Sequence, residues 1–399
     1  MIERDLKPGW KVWRFDQMAT NVNVRIDNPS ESGMEHYIGL EHLDADSLKI
    51  RRWGTPSDVE ATKLMFKTGD IIFGRRRAYQ RKLGVAEFDG ICSAHAMVLR
   101  AKPDVVLPEF LPFFMQSDLF MNRAVEISVG SLSPTINWKT MAVQEFALPP
   151  KDEQEKLVRL FIASDEVTES YRDATLAIEA ARQAFLSYSF PEDPLSNNIA
   201  PSTSVRRLDE LAEIRTGLAL GKKHGEADLV SRPYLRVANV LDGALDLTEM
   251  KTVEVRTDEL ERYELREGDV LMTEGGDFDK LGRGTVWRGQ VEGCLHQNHV
   301  FAVRSNESLL LPAYLAAIAR SPYGKRYFLS CAKKTSNLAS INKKQLSSFP
   351  VLWVPLDVQL QVADLVAAYD LTEKQLRERL ASKKKLTSKL VNGMLERNT

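Results

Sequence analysis

The sequence predicts an α/β (α+β) tandem repeat. Two similar globular domains, residues 1–150 and 201–356, are each followed by a long helix, 151–190 and 357–399, with 191–200 as a linker. The two helices are expected to run antiparallel as a coiled-coil-like rod with a pseudo-twofold axis. Three observations predict this. The two halves of the chain resemble each other, each half mixes short apolar runs with glycine-rich turns, and each ends in a long segment without proline.

The self-similarity is ordered along the chain, at an offset that drifts from 193 to 205. Arg14-Phe-Asp-Gln-Met-Ala19 recurs as Arg207-Leu-Asp-Glu-Leu-Ala212, and Gly69-Asp-Ile-Ile72 recurs as Gly268-Asp-Val-Leu271. His95 with Arg100 matches His299 with Arg304, and Leu107-Pro108 matches Leu311-Pro312. Thr135-Ile-Asn137 matches Ser340-Ile-Asn342, and Asp152-x-Gln154 after a proline matches Asp357-x-Gln359.

Within each domain, runs such as Asp70-Ile-Ile-Phe73, Ala96-Met-Val-Leu99 and His299-Val-Phe-Ala-Val303 read as strands. The segments 152–190 and 357–395 lack proline, and their one glycine is Gly393. Asp152 with Glu155 resembles a capping box. Val167, Tyr171, Ala174, Ile178, Ala181, Phe185 and Tyr188 fall at alternating spacings of four and three, a heptad seam. The second helix offers Leu376, Leu380, Leu386, Leu390 and Met394, with Lys383 where an apolar residue is expected. A helix over 152–190 would be about 58 Å long, more than a domain of this size spans, so part of it is expected to project.

Composition narrows the function classes. Of 399 residues, 43% are hydrophobic and 27% charged, which is ordinary globular protein. Lys+Arg number 54 and Asp+Glu 55, a net of −1, so any polyanion is met by local patches rather than by a cationic body. The opening MIERDLKPGWK has no apolar stretch, so no signal peptide is expected. The longest apolar run, Leu309 to Ala319, contains Pro312 and is too short to span a membrane. Cys92, Cys294 and Cys331 lack CxxC spacing, which fits a reducing cytoplasm and no structural zinc.

Familiar catalytic patterns fail. Asn28-Pro29-Ser30 is not the Asn/Asp-Pro-Pro-aromatic loop that holds a flipped adenine, and Gly217 to Lys223 has the wrong spacing for a P-loop. His296-x-x-His299 lacks companion ligands, so no metal is expected. What remains is the distribution of charge. Arg75, Arg76, Arg77, Arg81 and Lys82 cluster with Tyr79 after the Gly69-Asp strand, and residues 308–356 carry Arg320, Lys325, Arg326, Lys333, Lys334, Lys343 and Lys344 without one acid. Either a solvated face or a phosphate-tracking face would look like this. In the second domain the corresponding loop holds Thr273, Glu274, Gly275, Gly276, Lys280 and Arg283, followed by His296, Gln297 and Asn298. Arginine, asparagine, glutamine and glutamate are the side chains that read base edges, and the glycines would let backbone approach a duplex. Ser133 and Asn137 join the candidate DNA-binding residues of the first domain, and Lys333 and Lys334 those of the second.

These features resemble the specificity (S) subunits of type I restriction-modification systems over nearly the whole chain. The shared marks are Gly69 to Ile72 and Gly268 to Leu271 before a loop, Pro150 to Gln154 and Pro355 to Gln359 opening long helices, and Thr273-Glu-Gly-Gly-Asp277 with Cys294-Leu-His-Gln-Asn-His299. The resemblance implies two target recognition domains on double-stranded DNA, each reading half of a bipartite site. It implies helices, through residues such as Val167, Tyr171, Ile178, Phe185, Leu376, Leu380, Leu386 and Leu390, that set the spacer and dock two methyltransferase subunits. Restriction motor-nuclease subunits complete the complex. The chain itself would be a cytoplasmic, non-catalytic reader without cofactor, AdoMet and Mg-ATP belonging to the partners, which methylate adenine by base flipping. An enzyme subunit with an unrecognised nuclease or methyltransferase site, or a scaffold that never touches DNA, stay open on the residues alone.

Overall fold

A computed structural model describes residues 6–191, 203–221, 228–276, 281–334 and 339–395, with the backbone alone at Lys334. The chain forms two compact units, residues 1–171 with 378–399 and residues 172–377. The boundary cuts both long helices rather than falling at 150 and 356. Each unit thus holds one globular domain, the near half of its own helix and the far half of the other.

The two domains are built on the same plan. In the first unit Ala19–Val22, Ala96–Ala101, Ile71–Gly74 and Leu83–Val85 form an antiparallel sheet in that order; in the second, Ala212–Thr216, Val300–Ser305, Val270–Thr273 and Gly284–Val286 do the same. The entering strand closes on the last one in both, Lys11–Arg14 against Glu145–Leu148 and Ser204–Arg207 against Pro350–Trp353. Ile71-Ile-Phe73 reads as an unbroken apolar run because both faces of the sheet are covered. Ile71 and Phe73 enter one core cluster with Phe15, Phe114 and Phe120, while Ile72 enters another with Leu43 and Val98. Val270 and Met272 part from Leu271 in the same way.

The Gly-Asp pair before this strand has a structural cause. Gly69 and Gly268 turn the chain at φ +87° and +90°, a region that favours glycine. The following aspartate is buried and accepts the amide two residues before the glycine, Lys67 to Asp70 at 2.9 Å and Arg266 to Asp269 at 2.8 Å. It also takes a forked guanidinium from the neighbouring strand, Arg100 in one domain and Arg304 in the other.

The long helices run Lys151–Ser189 and Leu356–Leu395. Their shared glutamine fastens each to its domain. Gln154 accepts from the Leu107 amide and donates to Pro149 O, both 2.9 Å; Gln359 accepts from Leu311 at 2.9 Å and donates to Val354 O at 2.8 Å. Both amides are buried.

The heptad seam needs correction. Val167 and Leu386 point outward, 44% and 62% exposed, and Tyr188 is 78% exposed, whereas Tyr171, Ile178, Phe185, Leu376, Leu380 and Leu390 are half-buried. The buried positions of the two helices include polar residues as well as Phe161, Leu186, Val366 and Val391. In the first unit Ser164 shares a hydrogen bond with Thr387 and receives one from the Lys383 ammonium, each 2.8 Å, with Thr168 buried one turn on. In the second, Arg182 reaches Asp370 at 2.8 Å and Glu373. An apolar periodicity misreads such a seam because Ser164, Lys383 and Thr387 bond across the helices, Arg182 pairs with Asp370 and Glu373, and Thr168 bonds back to Ser164 O.

Candidate nucleic-acid interface

In the first unit the strand Ile71–Gly74 runs out into Arg75–Arg77, and the loop before Asn137 comes back to meet it. Ile136 donates to Arg75 O at 3.0 Å and Arg77 donates to Pro134 O at 2.7 Å. Arg76 and Arg77 each donate to the Ser133 hydroxyl at 3.2 Å, and Arg75 donates to Ala94 O at 2.9 Å. Tyr79 stands 54% exposed on the next turn. Ser133 is therefore brought to the arginines.

The rest of that cluster is spent elsewhere. Arg81 lies between Asp46 and Asp118, its charge balanced, and Lys82 donates to Leu40 O at 2.7 Å. Asn137 caps the helix Trp138–Ala142, accepting from Lys139 at 3.0 Å. One group that sequence reasoning missed stands beside the arginines. His95 is exposed and held below the ordinary histidine value, first by desolvation and then by Arg76, Arg75 and Lys63. Only the repeat match between His95 and His299 pointed to it.

The second unit places the same two segments together with other side chains. Ile341 donates to Glu274 O at 2.8 Å, as Ile136 does to Arg75, and Gly275 pairs with Ser340 as Arg76 pairs with Thr135. Glu274 thus occupies the place of Arg75, and its carboxylate meets His299 Nδ1 at 2.6 Å. Gly275 and Gly276 serve this ladder: a Cβ on Gly275 would lie 3.1 Å from Ala339 O, so the close approach is to protein backbone. Lys333 is exposed, Gln297, Asn298 and Arg283 are half-buried, and Lys280 lies outside the described residues, as does the Lys334 side chain.

Two candidates are corrected outright. Thr273 and His296 are each 1% exposed, and His296 Nδ1 is 2.6 Å from Val300 O, so neither reaches a base edge. Burial pushes the His296 proton affinity down, so its ring is neutral at pH 7. The acid-free stretch is also less cationic than its composition implies. Arg320 is 4% exposed and bonded to Asp242 and Asp370, and Lys325 reaches Asp242 at 3.4 Å. Among the described side chains the basic surface left is carried by Lys333, Lys343, Lys344 and Arg326.

Among the described residues no group of three or more His, Cys, Asp or Glu could hold a metal ion, and no helix is long and apolar enough to cross a membrane. Burial pushes the Cys92 and Cys294 thiols up to about 12, so neither is a thiolate nucleophile near neutral pH.

Fold and site together define a two-domain reader: one scaffold used twice, each copy presenting the same pair of segments with different side chains. The family model for the type I restriction modification DNA specificity domain matches residues 32–179 and 202–382, and the chain belongs to that family. It is a DNA sequence-recognition subunit. The chain is 27% identical over 317 residues to the type I restriction enzyme EcoKI specificity subunit of Escherichia coli, covering 75% of this chain and 68% of that one. It is 29% identical over 168 residues to the putative type I restriction enzyme MjaX specificity subunit of Methanocaldococcus jannaschii, covering 42% and 39%. The solved S subunit of a type I restriction-modification system from M. genitalium shares its fold with a TM-score of 0.56 at 14% identity, covering 100% of this chain and 99% of that one.

Proposed function

We propose that this chain is the specificity subunit of a type I restriction-modification complex, in which each domain reads one half of a bipartite duplex target. One observation carries this: residues 75–77 with 133–136, and 274–276 with 339–341, occupy equivalent places on equivalent sheets but differ in charge. A conserved frame with exchanged side chains at one rim is what two different half-sites require. Arg76 and Arg77 suit guanine or phosphate, and Glu274 suits a cytosine amino group. Adenine methylation and cleavage fall to partner subunits that carry AdoMet and Mg-ATP.

The long helices, at about 1.5 Å per residue, supply a ruler for the unread spacer and surface for two methyltransferase subunits. Val167 and Leu386, exposed outside the seam, are available for such docking. A heptad inserted at matched positions of both helices is expected to lengthen the spacer with both half-sites unchanged. Changed half-sites over an unchanged spacer would refute the ruler.

A further inference from the structure

The hairpin that carries Ser133 is braced on both sides. Val129 and Thr135 exchange backbone hydrogen bonds of 3.1 and 3.0 Å, and the Thr135 hydroxyl donates to Ser133 O at 3.1 Å. Arg76 and Arg77 hold the Ser133 hydroxyl, and the Arg77 amide holds Pro134 O. The hairpin turns through Gly130 at φ +118°. Yet its apolar side chains are uncovered: Leu132 is 90% exposed and Val129 78%. Single exposed apolar residues are common, but two on one braced tip beside two guanidinium groups form a patch with a charged rim.

We infer that Leu132 is a specificity-determining residue of the first domain, which packs against the C5-methyl of a thymine in the major groove. The assignment rests on the DNA-reading function proposed above. Charge complementarity selects the occupant, since Arg76 and Arg77 flank the tip and a duplex supplies the anions they need. The thymine methyl is the apolar feature that the major groove presents among its donors and acceptors. The backbone bracing matters because a leucine on a loose loop would lose contact energy to ordering, whereas this one is already placed.

The full chain, in its assembly with modification subunits, selects its target from randomised duplexes. In the half-site altered by Arg76→Ala, each thymine is then replaced singly by deoxyuridine, which removes only the methyl. One replacement is expected to weaken binding about fourfold, the size of one methyl group withdrawn from apolar contact. Leu132→Ala is expected to bind the thymine duplex that much more weakly and to make no distinction between thymine and uracil. A half-site without thymine, indifference to every deoxyuridine, or a Leu132→Ala variant that still discriminates would overturn the assignment. So would a variant that binds DNA normally but fails to recruit modification subunits, which would make the tip a protein contact. Absence of salt-dependent binding to any duplex would instead overturn the DNA-reading function itself.

Discussion

Asp70 and Arg100 form a forked ion pair, 2.7 and 2.8 Å, with the carboxylate buried at the start of the central strand. The same pair recurs as Asp269 and Arg304, both contacts 2.8 Å. Removing the arginine strands a buried carboxylate, and Arg304→Met is expected to cost about 3–5 kcal/mol. Asp269→Ala, which removes the charge with its partner left half-exposed, is expected to cost less. Urea unfolding of the two variants checks the order.

Gln154 and Gln359 fasten the helices by their first turns. Gln359→Leu keeps the volume but leaves the Leu311 amide and the Val354 carbonyl without partners, while Leu309 O keeps its bond from Trp353 Nε1, so a loss of about 1–3 kcal/mol is expected. A change within about 0.5 kcal/mol in denaturant unfolding would show that water replaces the amide.

Arginines of one cluster should separate by role. Arg76→Ala and Arg77→Ala are expected to weaken DNA binding and each to lower the salt slope by about one, whereas Arg81→Ala should lower stability through Asp46 and Asp118 and leave the slope alone. Binding titrations over a salt series distinguish the two behaviours.

Two histidines give opposite pH signatures. His296 is held below its ordinary value by burial, so folding favours the neutral ring. Its contribution is full above the unfolded value near 6.5 and is lost as pH falls below it. Unfolding at pH 7.5 and 5.5 should show a loss that His296→Asn reduces. His95 is held low partly by Arg75 and Arg76. Phosphates brought to those arginines would restore its proton affinity, so binding should tighten as pH falls toward 6, and His95→Gln should flatten that trend.

The polar seam is expected to fix register more than to add stability. Ser164→Ala, Lys383→Leu and Thr387→Val together should leave the first unit equally or more stable, since matched apolar groups replace buried polar ones. The spacer preference of that variant should broaden if these groups hold the helices in one alignment. An unchanged preference would assign register to the ion pairs of the second unit, those of Arg182 and of Arg377 with Glu179.

The repeat was legible because Gly69-Asp70 and Gly268-Asp269, or Gln154 and Gln359, are demanded by geometry at fixed places, and such residues recur. Less legible was what those residues do: the aspartates and glutamines tie the frame together and do not face a ligand. The helix seam was misread since Ser164, Thr168 and Arg182 look like surface to an apolar periodicity. At the interface the arginine run was visible, but Asp46 and Asp118, distant in sequence, remove Arg81 from it. The backbone carbonyl of Val300 similarly claims His296, whereas the equivalence of Arg75 with Glu274 follows from the offset of the Gly69 and Gly268 strands and is matched by the sheets.

The most direct test is to compare the target selected from randomised duplexes, or mapped from methylated adenines in the host, for the wild-type chain and the Arg76→Ala, Arg77→Ala double variant. The account predicts a bipartite target with an unread spacer, and degeneracy in one half-site alone for the variant. A single continuous motif, or equal loss in both halves, would contradict it.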